Sequence, residues 1–357
     1  MSTPIAFTYD ATPGRVVFGL DALDRVADET AALGAAHVFI VASNSARTAA
    51  ARVTTALGAS HARTWTEVTQ HVPADLATRA TDAARTSGAD AIVAIGGGSA
   101  TGLAKAIALE LAIPIVAVPT TYAGSEMTTI FGITGEHKQT GRDPRVLPRV
   151  SIYDPVLTIS LPAGMTATSA GNALAHCVEA LWAPDASPVP TLLATEAIRV
   201  IAHALPDVAA RPTDVDARTR LLLGAYLASG AFSATMMGLH HRLCHVLGGT
   251  YGLDHSAAHA VLLPYVVAFE AAAAPDAVAA IARALDSGDA ANALRDLLVD
   301  VGAPASLADL GLPPDALDDA AARVVAEAPP SPRPLDVATV HTLLADAHAG
   351  HRPSAAH

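Results

Sequence analysis

Five histidines, His240, His241, His245, His255 and His259, crowd one segment whose other residues read as apolar helix. Imidazole is the commonest metal ligand and the side chain that titrates nearest neutral pH. Buried rings without partners would be costly. The segment therefore implies a polar site inside a helical core, built to hold a metal, to move a proton, or to let the rings satisfy one another. His241 and His245, spaced i, i+4, share one helix face. His255 follows past the Gly248-Gly249 pair, read here as a helix break, and can return toward the same point. Upstream, Asn172 and His176 form a second i, i+4 pair. Asn172, His176, His241, His245 and His255 are the candidate catalytic set. His240 points about 100° away from His241 on an ideal helix, so it reaches a ligand only if the helix is irregular. His259 reads as structural.

If a metal is bound, His176, His241 and His255 would be its ligands, a set suited to zinc or iron(II). The fourth position, Asn172, is a neutral amide and a poor transition-metal ligand, which argues against a required metal, while three imidazoles and a water would still suit zinc. Cys177 and Cys244 each adjoin a histidine, but i, i+1 neighbours face apart, and both read as small buried hydrophobes.

A second group of residues could hold phosphate. The apolar run Ala91–Ile95 leads into Gly96-Gly97-Gly98-Ser99 and then into a helix through Lys105. Glycines let backbone N–H groups approach an anion, and a helix start adds partial positive charge. A plain turn needs one glycine rather than three. Thr120, Thr121 and Ser125 follow the next strand, and Ser43 and Asn44 follow the run 37–42. Loops at the carboxyl ends of parallel strands are where such sheets bind ligands, so these nine residues, Gly96 to Ser99 included, are the candidate dinucleotide cradle. No carboxylate ends the run 37–42 to claim a ribose 2′-hydroxyl, and Arg47 is near, so NADPH is admitted beside NADH.

The elements that must position these groups change character once along the chain. Residues 15–18, 37–42, 91–95 and 113–118 read as strands, the last three as continuous apolar runs of the doubly buried kind. Helical patterns at 20–33 and 46–57 alternate with them, which implies a parallel α/β sheet. From about 166 onward only helical patterns occur, among them 169–182, and the Ala-rich stretches 276–285 and 314–328 read as exposed helices. The expectation is an α/β domain over 1–158 and an all-α domain over 159–357, with a cleft between them. A length of 357 residues suits two domains. A net charge of −12 without a basic stripe excludes an electrostatic nucleic-acid binder. Two cysteines cannot build a disulfide framework and suggest a reducing compartment. No uncharged apolar run reaches the ~18 residues of a membrane span, so a cytoplasmic protein is expected.

Taken together, Gly-Gly-Gly-Ser-x-x-Gly-x-x-Lys at 96–105, Thr-Thr-Tyr-Ala-Gly-Ser-Glu-Met-Thr at 120–128 and His-x3-His-x9-His at 241–255 resemble the iron-containing alcohol dehydrogenase superfamily. Within it the chain is most similar to the maleylacetate reductases, through His71-Val72-Pro73, Arg142-Asp143-Pro144-Arg145, Asn172 to His176, Leu239 to His245 and the closing Gly350-His351-Arg352-Pro353. The resemblance implies a Rossmann-like N-terminal domain, a helical C-terminal domain of the dehydroquinate synthase-like type, and a homodimer. It implies reduction of maleylacetate to 3-oxoadipate by NADH or NADPH in aromatic-compound degradation. Metal-dependent relatives carry Asp where Asn172 and Gly102 stand, and maleylacetate reductases share both departures. A dianionic, small dicarboxylate substrate would need cations in this acidic chain, and Lys138, Arg142, Arg145 and Arg242, with His240, are the candidate substrate-binding residues. Two alternatives on the same fold stay open. One is an iron- or zinc-dependent alcohol or aldehyde dehydrogenase, the other a non-redox cyclase or lyase that uses NAD transiently.

Overall fold

The computed structural model describes residues 7, 9, 14–135 and 138–354. A first compact unit ends at Leu161 and a second begins at Pro162.

In the first unit the strands are β1 (Arg15–Phe18), β2 (Val38–Ala42), β3 (His61–Trp65), β4 (Ala91–Gly96), β5 (Ile115–Pro119), β6 (Ile130–Thr134), β7 (Lys138–Arg142) and β8 (Val150–Tyr153). The helices are α1 (Val26–Ala32), α2 (Arg47–Leu57), α3 (Ala74–Thr86) and α4 (Gly98–Leu111). Six strands form one sheet in the order β1-β8-β5-β4-β2-β3, and every neighbouring pair is parallel. The hairpin β6–β7 is antiparallel and separate. The apolar runs β2, β4 and β5 are buried at every position because successive side chains feed opposite faces. Phe39, Val41, Ile92, Ala94 and Ala117 enter a core with residues of α3 and α4. Val38, Ile40, Val93, Ile95 and Val116 enter another with residues of α2.

The structure adds elements that periodicity does not announce. β3 reads His-Ala-Arg-Thr-Trp and lies half-exposed at the sheet edge, where an apolar run is not needed. β5 begins at Ile115 rather than at residue 113, since Pro114 has no N–H for the ladder.

The second unit is helical among the described residues: α5 (Ala163–Trp182), α6 (Pro188–Ala210), α7 (Val215–Ser233), α8 (Leu239–Tyr251), α9 (His255–Glu270), α10 (Pro275–Ala284), α11 (Ala290–Asp300), α12 (Leu317–Ala326) and α13 (Val337–Ala349). The Ala-rich helices α10 and α12 are not simply exposed, as expected from sequence. Ile281 and Ala284 of α10, and Leu317, Ala320, Ala321 and Val324 of α12, are buried. Their three- and four-residue spacing makes an apolar stripe, and that of α12 joins the core formed by α8, α9 and α13. No helix of the described residues is long and apolar enough to cross a membrane.

Candidate active site

In the first unit, chain direction across the sheet reverses between β2 and β4: β2 leads through α2 to β3 on one side, while β4 leads through α4 to β5 on the other. Such a switch point opens a crevice at the strand carboxyl ends. Ser43 follows β2, Gly96 ends β4 and Thr120 follows β5. The Ser43 N–H donates to the Ile95 carbonyl at 3.1 Å and the Thr120 N–H to the Gly96 carbonyl at 3.1 Å. Gly96 has φ +151°, and a Cβ there would lie 2.8 Å from the Ala100 Cβ and 2.9 Å from the Ser43 Oγ. A Cβ on Gly97 would stand 3.0 Å from the Thr121 Cγ2. Side chains are excluded there because the neighbouring loops close in. Gly98 and Ser99 open α4, which no side chain caps, leaving the helix start to attract an anion. The Asn44 Oδ1 accepts from Arg47 at 3.0 Å, and Ser125 begins a short 3-10 turn.

Lys105, part of the glycine-loop motif but given no role by the sequence, is fully buried. Its Nζ donates to the Thr128 carbonyl at 2.8 Å, the Thr128 Oγ1 at 2.9 Å and the Ile130 carbonyl at 2.8 Å. It ties α4 to the segment that follows the Ser125 loop. Burial pulls its pKa down to about 7, and Arg142 adds to that, against the attraction of Glu126. The space beside Gly102 is also taken, since a Cβ there would lie 3.0 Å from the Val72 Cγ2. Val72 and His71 hold left-handed φ values of 46° and 62°, with their carbonyls bonded by the Thr134 N–H and Oγ1 at 2.9 and 2.7 Å.

The candidate cations fall into different surroundings. Arg145 clasps Asp143 through Nε at 3.0 Å and Nη2 at 2.7 Å and reaches the Leu109 carbonyl at 2.8 Å, so its donors are committed within the protein. Arg242 pairs with Glu327. Arg142 is exposed at the end of β7 and Lys138 begins that strand.

The histidines lie in the second unit, where α5, α8 and α9 converge. Asn172, His176 and Glu179 occupy i, i+4 and i+7 on α5 and are all buried, so they share one face. α8 starts at Gly238, where a Cβ would lie 2.7 Å from the Pro330 carbonyl oxygen and 3.1 Å from the Glu179 Oε1. That missing side chain lets the helix start settle on the Glu179 carboxylate. Oε2 accepts from the Gly238 N–H at 3.1 Å, and Oε1 accepts from the N–H groups of His240 at 2.6 Å and His241 at 3.4 Å. Oε2 also pairs with the His241 Nδ1. Burial would raise the Glu179 pKa, but His241, His240 and the Gly238 N–H outweigh it and hold the carboxyl below its usual range.

Helix α8 runs through Gly248-Gly249 and stops at Gly252, whose φ is 74°. The expected break at the glycine pair is absent because neither glycine takes a left-handed φ. α9 then starts at His255, capped by Asp254, which accepts from the Ala257 N–H at 2.9 Å. The His240 Nε2 lies 2.8 Å from the His259 Nδ1, and the His259 Nε2 lies 3.2 Å from the His255 Nε2. His255 stacks on His245 at 5.6 Å, and His241 packs 5.2 Å from His176 and 4.8 Å from His259. Phe232 of α7 stacks on His176 at 4.0 Å.

Burial, reinforced by the neighbouring rings, holds His176 and His259 well below the ordinary imidazole range. Burial likewise takes His240 down to about 3, although Glu179 opposes it. Four buried atoms of the array have no hydrogen-bond partner: Asn172 Oδ1, His176 Nδ1, His240 Nδ1 and His241 Nε2. Such atoms are costly in the interior and present hydrogen-bonding capacity for a bound group.

The structure thus brings His176, His240, His241, His245 and His255 into one array, with Asn172 buried one turn before His176 on α5. It adds Glu179 and Phe232, which sequence reasoning missed, and links His259 into the ring chain. The i+7 offset puts Glu179 on the face of α5 that carries Asn172, but nothing local in the sequence ties it to the start of α8. Among the described residues, the three potential ligand atoms within 4.8 Å of one another belong to His240, Cys244 and His259, whereas the sequence reading named His176, His241 and His255.

Comparison with known proteins bears on both halves of the chain. Residues 13–155 match the family described as iron-containing alcohol dehydrogenase, and residues 166–348 match its C-terminal family. The chain is similar to a maleylacetate reductase of Burkholderia cepacia, 47% identical over 98% of this chain and 99% of that protein. It is 43% identical to one of Sphingobium indicum, over 97% of this chain and 99% of that protein. Among solved structures, maleylacetate reductase from Agrobacterium tumefaciens matches with a TM-score of 0.94 and 41% identity, covering 98% of this chain and 99% of that one.

Proposed function

The chain belongs to the iron-containing alcohol dehydrogenase family and is an oxidoreductase, and we propose that it reduces the enone double bond of maleylacetate to give 3-oxoadipate, with NADH or NADPH as reductant and without a metal. The observation that carries this reading is the set of unpartnered buried atoms on Asn172, His176 and His241, with a neutral amide where metal-dependent relatives carry a carboxylate.

The glycine cradle suits a dinucleotide, because the positions where a Cβ would collide are those at which a backbone must come close to a pyrophosphate. Held by Gly96, Gly97, Gly98 and Ser99, a reduced nicotinamide would supply the hydride for the alkene carbon β to the ketone. The electron pair of the double bond then moves onto the ketone oxygen, giving an enolate, and the α carbon takes a proton. His241, His245 and His255 supply the hydrogen-bond donor for that oxygen and the proton. Asn172 and His176 orient the ketone, and His240 backs them through His259. We assign Arg142 and Lys138, at the two ends of β7, to the substrate carboxylates.

We read the His240, Cys244 and His259 donors as a poor fit for a resident divalent ion. The His240 Nε2 and His259 Nδ1 stand 2.8 Å apart, a hydrogen-bond separation, whereas two nitrogens each about 2.1 Å from one tetrahedral ion would stand roughly 3.4 Å apart. Asn172 offers no charge, and the Glu179 oxygens already accept from four donors.

We place the enzyme in the cytoplasm as a homodimer, a state that light scattering reads directly. The test of the reaction mixes purified protein with maleylacetate and either nicotinamide cofactor, following cofactor absorbance and product. Oxidation of one cofactor with stoichiometric 3-oxoadipate is expected. No oxidation with either overturns the reading.

A further inference from the structure

We propose that Glu179 is the positioning residue for His241: its buried carboxylate holds the ring proton at Nδ1 and so makes Nε2 the atom that exchanges a proton with a bound ligand. The inference rests on the proposed function only for the identity of that ligand.

Glu179 and His241 are 3–4% exposed, so water does not compete for their contact. Glu179 lies 62 residues from His241 in sequence, yet its two oxygens take the His241 Nδ1 and the N–H groups of Gly238, His240 and His241. These contacts fix the carboxylate relative to the helix that carries the ring, and the Nδ1 contact then fixes the ring. A carboxylate without its proton only accepts, so Nδ1 must be the donor. The opposite ring nitrogen is the one left buried without a partner. Ring orientation is fixed further by stacking near His176 and Phe232, with interplanar angles of 8° and 13°. A proton that leaves Nε2 for the substrate carbon therefore leaves a neutral ring still bonded through Nδ1–H to Glu179. Taking a proton back at Nε2 restores an imidazolium whose charge the carboxylate balances. A buried carboxylate that holds a histidine tautomer in this way is a general device of acid–base sites.

A second feature makes the proposal testable by rescue. A cavity of about 220 Å³ meets Glu179 and is also lined by Trp182, Met236, Gly238, Pro330 and Ser331. Met236 and Pro330 are exposed, so a small anion can reach the place of a truncated side chain.

Three measurements decide it. In wild-type protein labelled with 15N-histidine, the His241 resonances, assigned by their loss in His241→Asn, are expected to report a protonated Nδ1. A predominant Nε2–H tautomer would overturn the proposal without touching the reaction assignment. Glu179→Gln is expected to lower kcat by at least about 100-fold, with the KM for maleylacetate and the cofactor Kd within about threefold. Glu179→Ala is expected to lose activity similarly and to regain at least about tenfold with added formate. A variant that keeps kcat within twofold, or an Ala variant that is folded and indifferent to formate, contradicts the role. Should either variant fail to fold, the wild-type tautomer still decides.

Discussion

The glycine cradle and the histidine array solve opposite problems. The cradle consists of residues whose side chains must be missing or small. Gly96 and Gly97 leave no room for a Cβ against Ala100, Ser43 and Thr121, and binding capacity comes from backbone and a helix start. The array consists of large polar side chains that must be present and held against one another, drawn from α5, α8 and α9, with four buried atoms left open to a ligand. The first is a site made by space, the second a site made by partners. The two should therefore break in different ways.

The largest effect is expected from removing a member of the array. His241→Ala or His245→Ala should lower kcat by about 1,000-fold or more while dinucleotide affinity, read by fluorescence titration, stays within about threefold. Equal loss of both would dissolve the distinction. The converse is Gly96→Ala. A left-handed φ and a 2.8 Å approach to Ala100 make it cost about 1–3 kcal/mol, which is roughly 5- to 150-fold in cofactor KM, with kcat at saturating cofactor nearly retained.

The same contrast explains what the sequence disclosed. The cradle is local: an apolar run, three glycines and a helix within twenty residues, so β4, the loop and α4 were legible together. Strand β3 was not, because an edge strand containing His61, Arg63 and Thr64 carries no apolar run. Within the array, the i, i+4 pairs Asn172–His176 and His241–His245 were legible because helix geometry makes them neighbours. Glu179 was not, since its meaning depends on the start of α8 settling onto α5, a packing event set by Gly238 and the Pro330 carbonyl. Arg145 was named for the substrate on charge alone, and only coordinates reveal Asp143 and the Leu109 carbonyl as its partners.

A middle-sized effect concerns pH and belongs to the array alone. His176, His240 and His259 have folded pKa values below the unfolded value near 6.5. Above that pH both states are neutral and nothing is lost. Below it the unfolded chain takes up protons that the folded rings refuse, so stability falls with falling pH, by on the order of 1 kcal/mol per pH unit for each ring. Glu179, held below its usual range, adds a loss in the same direction at lower pH. Urea midpoints measured from pH 7 to pH 5 should drop steadily. A flat profile would mean the rings are not buried neutral.

The smallest effect sharpens the assignment of cations. Arg145→Ala should leave the KM for maleylacetate within about threefold, because the guanidinium is already clasped by Asp143. A rise well beyond that would return Arg145 to the substrate.

The claim on which the account turns is that the histidine array, with Asn172 beside it, handles protons rather than a metal ion. The direct measurement is kcat for maleylacetate reduction by protein stripped of metal, with metal content determined on the same sample, compared with protein supplied with Fe²⁺ or Zn²⁺. The account predicts equal rates within about twofold at negligible bound metal. Loss of turnover on stripping, restored by stoichiometric Fe²⁺ or Zn²⁺, would contradict it.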